Sequence, residues 1–286
     1  MDRKTFFLFT SPSMTVMILL MILPFAAAIF LGVNYITYRN LNSPEFVGLE
    51  NYIAVLQDPE FWDSLGFTML FIAITVPMNI LVGFGVALLL DQVTVFRGVF
   101  IAGILLPFIV TPVVGTLIFR NMFDRQGLYT YLLETLFNYR FLMTSTTVKA
   151  LVMAHGIWYV APFPTIVLFA GLQTLSKSQI EAAVVDGANW LQRLWYVVIP
   201  HLRSLFVFIA LTAIMDAYRV FDSIFVLTQQ NPIFDAETIM YYNFQVALSY
   251  QRLGKANAMS VLTVIGIFIV LIPFLISTYQ EQVEER

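Results

Sequence analysis

Between residues 204 and 228 an otherwise apolar stretch carries three charges, Asp216, Arg219 and Asp222, each three residues from the next. On a helix this spacing puts them on one side, close enough for Asp216–Arg219 and Arg219–Asp222 ion pairs. A carboxylate in such a setting can bind a proton or sodium ion, or accept hydrogen bonds from the vicinal hydroxyls of a solute. A purely structural ion ladder fits the same spacing. It fits Arg219 and Asp222 better than Asp216, which stands at the midpoint of the stretch. Upstream, Pro162 and Pro164 flank Phe163 at the midpoint of a second apolar stretch, 150–176. Prolines remove helix hydrogen bonds and break or kink the helix. The stretch is therefore predicted to be interrupted, either to shape a bundle or to open a solute path.

Much other chemistry is excluded by residues the chain lacks. Zero cysteines remove disulfides, thiolate metal sites and cysteine nucleophiles together. His155 and His201 lie in different regions and offer little for a metal cage. Phosphate-cradling loops need a glycine-rich turn followed by Lys and Ser/Thr. Here the Gly254-Lys255 pair is followed by Ala256 and lacks the upstream glycine, so the chain is not expected to hydrolyse ATP or to hold a cofactor. A net charge of -3 with no basic stripe speaks against nucleic acid.

The elements that must position these residues follow from composition. Apolar and aromatic residues make up 59% of the 286 and charged residues only 12%, against roughly a half and a quarter in soluble domains. Uncharged runs at 5–38, 64–90, 98–119, 150–176 and 256–280 each exceed the ~20 residues that cross a bilayer as helix. With the charged 204–228 stretch they predict an all-α membrane protein with six transmembrane helices in a single domain, 1–286. The spans are expected at about 14–37, 64–90, 98–119, 150–176, 204–228 and 256–280. The first run would extend ~51 Å as helix, so residues 5–13 are expected along the interface, with Pro12 at the bend. Arg3, Lys4 and the Ala26-Ala27-Ala28 triplet imitate a secretory signal, but the apolar run continues to Tyr38, as a retained span would. Asp58-Pro59-Glu60 reads as a helix start, with Asp58 as N-cap and Phe61 and Trp62 at the membrane surface. Basic residues divide seven to seven between the two sides. The shorter loops on the side of the termini make that side denser in charge, which places the termini inside.

The loop 177–203 is the one polar stretch on that side long enough to hold structure. Ser178 followed by Glu181 is a capping-box pattern, and Ile180, Ala183, Val184 and Gly187 share one face at helical spacing. A short amphipathic helix is expected outside the membrane, lying on headgroups or docked on a partner. Gly187 permits a tight turn or a close approach, and Pro200 marks re-entry.

This loop resembles the EAA signature of binding-protein-dependent ATP-binding-cassette importer permeases. Glu181, Ala182, Ala183, Gly187 and Pro200 match in register, with Val197 and Ile199 as mild departures. Val47-Gly48-Leu49-Glu50-Asn51-Tyr52, Asp58 to Trp62 and Asp216 to Thr228 are similar to segments of the carbohydrate-uptake class. The resemblance covers about 40–275, and the C-terminus is similar to the first, maltose-permease-F-like membrane subunit. It implies a type I ABC importer permease bundle in the bacterial inner membrane, multi-pass, with cytoplasmic termini. The 177–203 loop, with Glu181, Ala182, Ala183, Asp186, Gly187 and Pro200, would be the coupling loop on an ATPase. Its partners would be a second homologous permease, two ATPase subunits that bind ATP and Mg, an extracytoplasmic substrate-binding protein and membrane lipid. Substrate-path residues of the family correspond here to Tyr159, Val160, Phe163, Ala213, Asp216, Ala217 and Val220, and Arg219 joins them by position. The family usually shows a Gly-rich run after Thr228, whereas this sequence has Gln229, Gln230 and Asn231 before Pro232. The alternative from the residues alone is an ion-gradient-driven secondary transporter with Asp216 as the ion or proton site, which leaves the 177–203 loop without a purpose.

Overall fold

The computed structural model describes residues 3–284. Helix α1 (Arg3–Gly32) is apolar around its circumference and exposes large side chains from Phe6 to Phe30, as a lipid-facing helix does. It continues through Pro12 and Pro24. The helix is thus not interrupted at Pro12, because one proline removes one bond and the neighbouring turns keep the helix going. There follow a two-residue antiparallel pair, β1 (Asn34–Tyr35) with β2 (Glu45–Phe46), then α2 (Glu50–Leu56) and the long α3 (Pro59–Gln92). Next come α4 (Arg97–Ile109), α5 (Pro112–Phe123), α6 (Leu128–Phe137), α7 (Ser145–Val160) and α8 (Pro162–Gln173). The polar loop contains α9 (Lys177–Val185), α10 (Trp190–Arg193), a π-helical turn at Leu194–Val198 and α11 (Ile199–His201). The chain ends with α12 (Arg203–Tyr218), α13 (Asp222–Thr228), α14 (Ile239–Phe244), a second π-helical turn at Gln245–Ser249 and α15 (Leu253–Glu284).

Among the described residues, four helical segments are long and apolar enough to cross a membrane: Thr5–Gly32, Pro59–Gln92, Ser145–Gln173 and Leu253–Ile272. Two bent pairs raise this to six, Arg97–Ile109 with Pro112–Phe137 at 94° and Trp190–His201 with Arg203–Tyr218 at 67°. The interruption expected at Pro162 and Pro164 is not there. Ala161 keeps helical angles, and bonds from Ala161 N–H to Ile157 O (3.0 Å) and Thr165 N–H to Ala161 O (3.1 Å) carry the helix across both prolines. The backbone breaks instead at Val110–Thr111, before Pro112, and at Arg219–Phe221, between α12 and α13.

By internal packing the chain divides into two compact units. The first holds the described residues up to Asp63 together with Tyr241–Ile269. Within it Asn51 ties the end of α1 to β1, donating from Nδ2 to Gly32 O and Asn34 O at 2.9 Å each. Gly254 donates its N–H to Ile36 O at 3.2 Å, and a Cβ there would run into the Asn34 carbonyl oxygen. Asp58 caps α3, its Oδ1 accepting from the Glu60 N–H at 3.1 Å. Its other oxygen accepts from the Tyr242 hydroxyl (2.5 Å) and from Lys255 Nζ (2.6 Å). Phe61 is buried rather than at the surface, whereas Trp62 is exposed and donates its indole N–H to Leu56 O at 2.8 Å. The second unit comprises Ser64–Met240 with the described residues from Val270. Its core cluster is Ala87, Leu168, Leu172, Val198, Leu202 and Ile209, with Ile180 of the polar loop packed against it.

The Asp58 pair generates a pH prediction. Burial pushes the Asp58 carboxyl up, but hydrogen bonds from Lys255 and Tyr242 and the Lys255 charge outweigh it and hold the group below the usual carboxylate range. Burial and the adjacent carboxylate push the Tyr242 hydroxyl up, so it stays a donor. A lowered folded-state value stabilises the protein above the ordinary carboxylate value, and that stabilisation is lost as pH falls through the lowered one. In thermal unfolding of the purified protein, the advantage of the parent over Asp58→Asn should hold from pH 7 to about 5, begin to fall near the ordinary carboxylate value of about 4, and disappear only below the lowered one. Lys255→Met strands a carboxylate that is 12% exposed and should cost about 3 kcal/mol at pH 7. An unchanged midpoint for Lys255→Met would show the pair to be idle.

Candidate functional site

The two apolar stretches singled out from sequence for a solute path, 150–176 and 204–228, meet in one cavity of the second unit, of about 670 Å³. Tyr159, Val160 and Phe163 line it from α7 and α8, and Ala213, Asp216 and Ala217 from α12. Arg219 and Val220 line it from the break that follows. One wall is aromatic. Phe108, next to Pro107 in α4, stacks on Phe163 at 6.3 Å between ring centroids and lies 6.0 Å from Tyr159. His155 also stacks on Tyr159, at 5.9 Å. Such rings present flat apolar faces with polar edges.

The charges sit on α12 and its break. Arg219 Nη2 donates to Asp216 Oδ1 at 2.5 Å, and the two side chains remain 67% and 57% exposed. The Arg219–Asp222 pair allowed by the spacing does not form, because the helix ends at Tyr218 and Asp222 begins a new one. Asp222 still lines the cavity. An exposed pair contributes at most about 1 kcal/mol to stability, so an internal ladder is a weak reason for this cluster. It leaves Asp216 with a second oxygen and Arg219 with further N–H groups for a solute.

The polar loop is built differently from its expected cap. α9 begins at Lys177 after Ser176, two residues earlier than the Ser178 pattern implies, and Ser178 Oγ meets Ser176 Oγ at 2.6 Å instead of capping. Glu181, Ala182 and Ala183 lie in α9 and Asp186 is its C-cap. Gly187 follows in the left-handed region (φ 79°). Gly187 N–H bonds to Val184 O at 3.0 Å and Ala188 N–H to Ala183 O at 2.9 Å. These two bonds form a Schellman turn, which explains the glycine without any crowding. Asn189 and Gln192 then supply the capping box, for α10. Pro200 lies in α11. Ile180 anchors α9 to the core, while Val185 is 87% exposed and Trp190, Leu191, Trp195 and Tyr196 are also exposed. The base of the loop is fixed by Gln173 Nε2 donating to Asp91 Oδ1 (2.7 Å) and by Thr174 Oγ1 against His201 Nε2 (3.0 Å). Glu181 and Arg193 face a second cavity of about 680 Å³.

The model of the family described as "Binding-protein-dependent transport system inner membrane component" matches residues 82–286. The chain belongs to this family. This permease is 30% identical over 269 residues to MalF, the trehalose/maltose transport system permease protein of Thermococcus litoralis, covering 92% of this chain and 89% of MalF. Its fold is that of a chain of a bacterial ABC transporter involved in the import of the acidic polysaccharide alginate, with a TM-score of 0.81 at 18% identity over 97% and 96% of the two chains. A chain of a bacterial alginate ABC transporter in complex with an alginate pentasaccharide-bound periplasmic protein gives a TM-score of 0.78 at 16% identity over 95% and 93%. The type I importer permease fold and the transport role expected from the EAA signature therefore hold. Nothing in the family or these relatives supports the ion-gradient alternative.

Sequence reasoning missed Phe108, His155 and Asn79, all of which line the first cavity. Asn79 carried a signal, as the single amide in the uncharged run 64–90.

The Schellman turn gives the permease a sharp test. Asparagine tolerates the left-handed region, whereas leucine is strained there by about 1 to 2 kcal/mol. Gly187→Asn should keep ATP-driven uptake near the parent value and Gly187→Leu should lose most of it. Equal losses in both would mean that the loop needs a bare surface at 187 rather than this turn.

Proposed function

We propose that this permease carries a sugar or related polyhydroxy solute across the bacterial inner membrane, with both termini cytoplasmic. It works with a second, similar permease, two ATPase subunits that bind ATP and Mg, and an extracytoplasmic binding protein. The observation that carries the reading is the first cavity. Eight residues from two distant stretches of sequence line it, with an aromatic wall facing an open carboxylate–guanidinium pair. A sugar ring has apolar faces and a rim of hydroxyls. Tyr159, Phe163 and Phe108 suit the faces, and Asp216 and Arg219 suit the rim. A volume of about 670 Å³ falls within the ordinary range for small-molecule sites. MalF is named for trehalose and maltose and the alginate transporter for a polysaccharide, which supports the substrate class.

In this reading the 177–203 loop is the coupling element. Glu181, Ala182, Ala183, Asp186 and Gly187 seat α9 on an ATPase, and Pro200 starts the return into the membrane. Closure of the ATPases around ATP pushes α9, which is tied through Ile180 to Leu172, Val198 and Leu202. The displacement reaches α8 and α12, the two helices that carry the cavity walls, so access alternates while the midplane groups hold the solute briefly.

Purification of the chain from its native membrane should bring down a second permease and an ATPase, and the chain alone in liposomes should take up no sugar under a sodium or proton gradient. Gradient-driven accumulation by the isolated chain would overturn the reading. Asp216→Asn turns one acceptor oxygen into a donor, so the variant should assemble with its partners but lose most sugar uptake, and Asp222→Asn should be milder. Uptake equal to the parent, or failed assembly of Asp216→Asn, would make Asp216 a structural residue.

A further inference from the structure

Two polar side chains of the first cavity have no role in the account so far. Asn79 of α3 is 3% exposed and Ser223 of α13 is 2% exposed, both line the cavity, and neither Asn79 Oδ1 nor Ser223 Oγ makes a hydrogen bond. Leaving a buried acceptor or hydroxyl unpaired is unfavourable enough that native proteins avoid it. Two threonines that line the same cavity behave differently. Thr75 donates to Phe71 O at 2.7 Å and Thr212 to Phe208 O at 3.1 Å, each satisfied by its own helix. Ser223 lacks that option: it is the second residue of α13, and the residue four before it, Arg219, lies across the break. Farther along α13, Thr228 does bond back, to Ile224 O at 2.8 Å. The break that brings Asp216 and Arg219 to the cavity also leaves Ser223 without a partner.

Asn79 is held in place rather than free to turn away. One turn on, a Cβ at Gly83 would lie 2.6 Å from Pro164 Cβ, and a Cβ at Gly156 would lie 2.8 Å from Phe71 Cζ. These two close contacts clamp α3 against α7 and α8 on either side of the amide. Phe71, Thr75 and Asn79 follow at steps of four along the cavity face of α3.

We propose that Asn79 and Ser223 are hydroxyl-recognising contacts of the transported solute, in addition to the residues that the EAA-family resemblance assigned to the path. Asn79 Oδ1 accepts from one solute hydroxyl and Ser223 Oγ exchanges a hydrogen bond with another, which makes both residues determinants of which polyhydroxy solute is carried. The proposal rests on the substrate class inferred above. Neutral amide and hydroxyl groups complement the charged Asp216–Arg219 side, so a solute is read by different chemistry on its two edges.

The test uses the complete complex in proteoliposomes, with trehalose and maltose as probes. Asn79→Ala and Ser223→Ala should each raise the KM for uptake of the carried sugar about three- to tenfold, as loss of one neutral hydrogen bond does. An analogue of that sugar lacking the contacted hydroxyl should be carried alike by parent and variant. An unchanged KM, or an equal penalty for every deoxy analogue, would overturn the proposal. Thermal unfolding of the solute-free complex gives an arm independent of transport. Asn79→Leu removes an unpaired acceptor, so the variant should unfold at or above the parent temperature, whereas a structural amide would make it unfold earlier. If the parent takes up neither sugar, the substrate class proposed above fails, and the role of Asn79 is decided by the unfolding arm alone.

Discussion

A backbone N–H or C=O inside a membrane has no water to turn to, so every departure from regular helix must be met by protein or open onto a cavity. This constraint governs where the permease can be irregular. Its third and fifth apolar stretches are broken, at Val110–Thr111 and at Arg219–Phe221, and each break is tied down locally. Thr116 donates to Pro112 O at 2.7 Å at the start of α5. Arg120 reaches from α5 to Val226 O at 3.1 Å, near the end of α13. A cation at a helix C-terminus also meets the negative end of the helix dipole. The two broken stretches thus satisfy each other: α5 exists because α4 stops, and its arginine completes α13, which exists because α12 stops.

The same breaks make the site. A continuous fifth helix would carry Asp216, Arg219 and Asp222 as one ladder and would give Ser223 a carbonyl of its own. The interruption turns Arg219 back to Asp216, frees Asp222 from it, and opens about 670 Å³ beside the aromatic wall. Close packing at Gly83 and Gly156 fixes the opposite side, because no Cβ intervenes between α3 and the α7–α8 helix. Close packing on that side is thus set against segmentation on the other.

Much of this was legible in the sequence, for reasons that are local. Run length and charge spacing indicate helices of membrane length, and the i to i+3 spacing indicates the Asp216–Arg219 pair. The Asp58 cap is visible because Asp-Pro-Glu encodes a helix start by itself. Its second oxygen was not legible, since Tyr242 and Lys255 are more than 180 residues away. The position of the breaks was misassigned for a physical reason. Prolines at 162 and 164 look disruptive, yet bonds made by Ala161 and Thr165 bracket them. At 219–221 no proline or glycine marks the break, and tertiary partners decide it. The Ser178 pattern failed because the helix starts before it and the capping box belongs to Asn189 and Gln192. Asn79 shows the reverse case, a lone amide in an apolar run whose meaning needed the cavity.

The central claim is that this cavity is a solute path whose access is driven through the 177–203 loop. Because the chain has no cysteine, a single one placed at Val160, on the cavity wall, reports on this chain without background once the partner subunits are cysteine-free. The decisive measurement is labelling of Val160→Cys in the assembled complex by a membrane-impermeant thiol reagent, applied from each side, with and without a non-hydrolysable ATP analogue. Labelling is expected from the side of the 177–203 loop without nucleotide and from the opposite side with it. Labelling whose rate and sidedness ignore the nucleotide would contradict it.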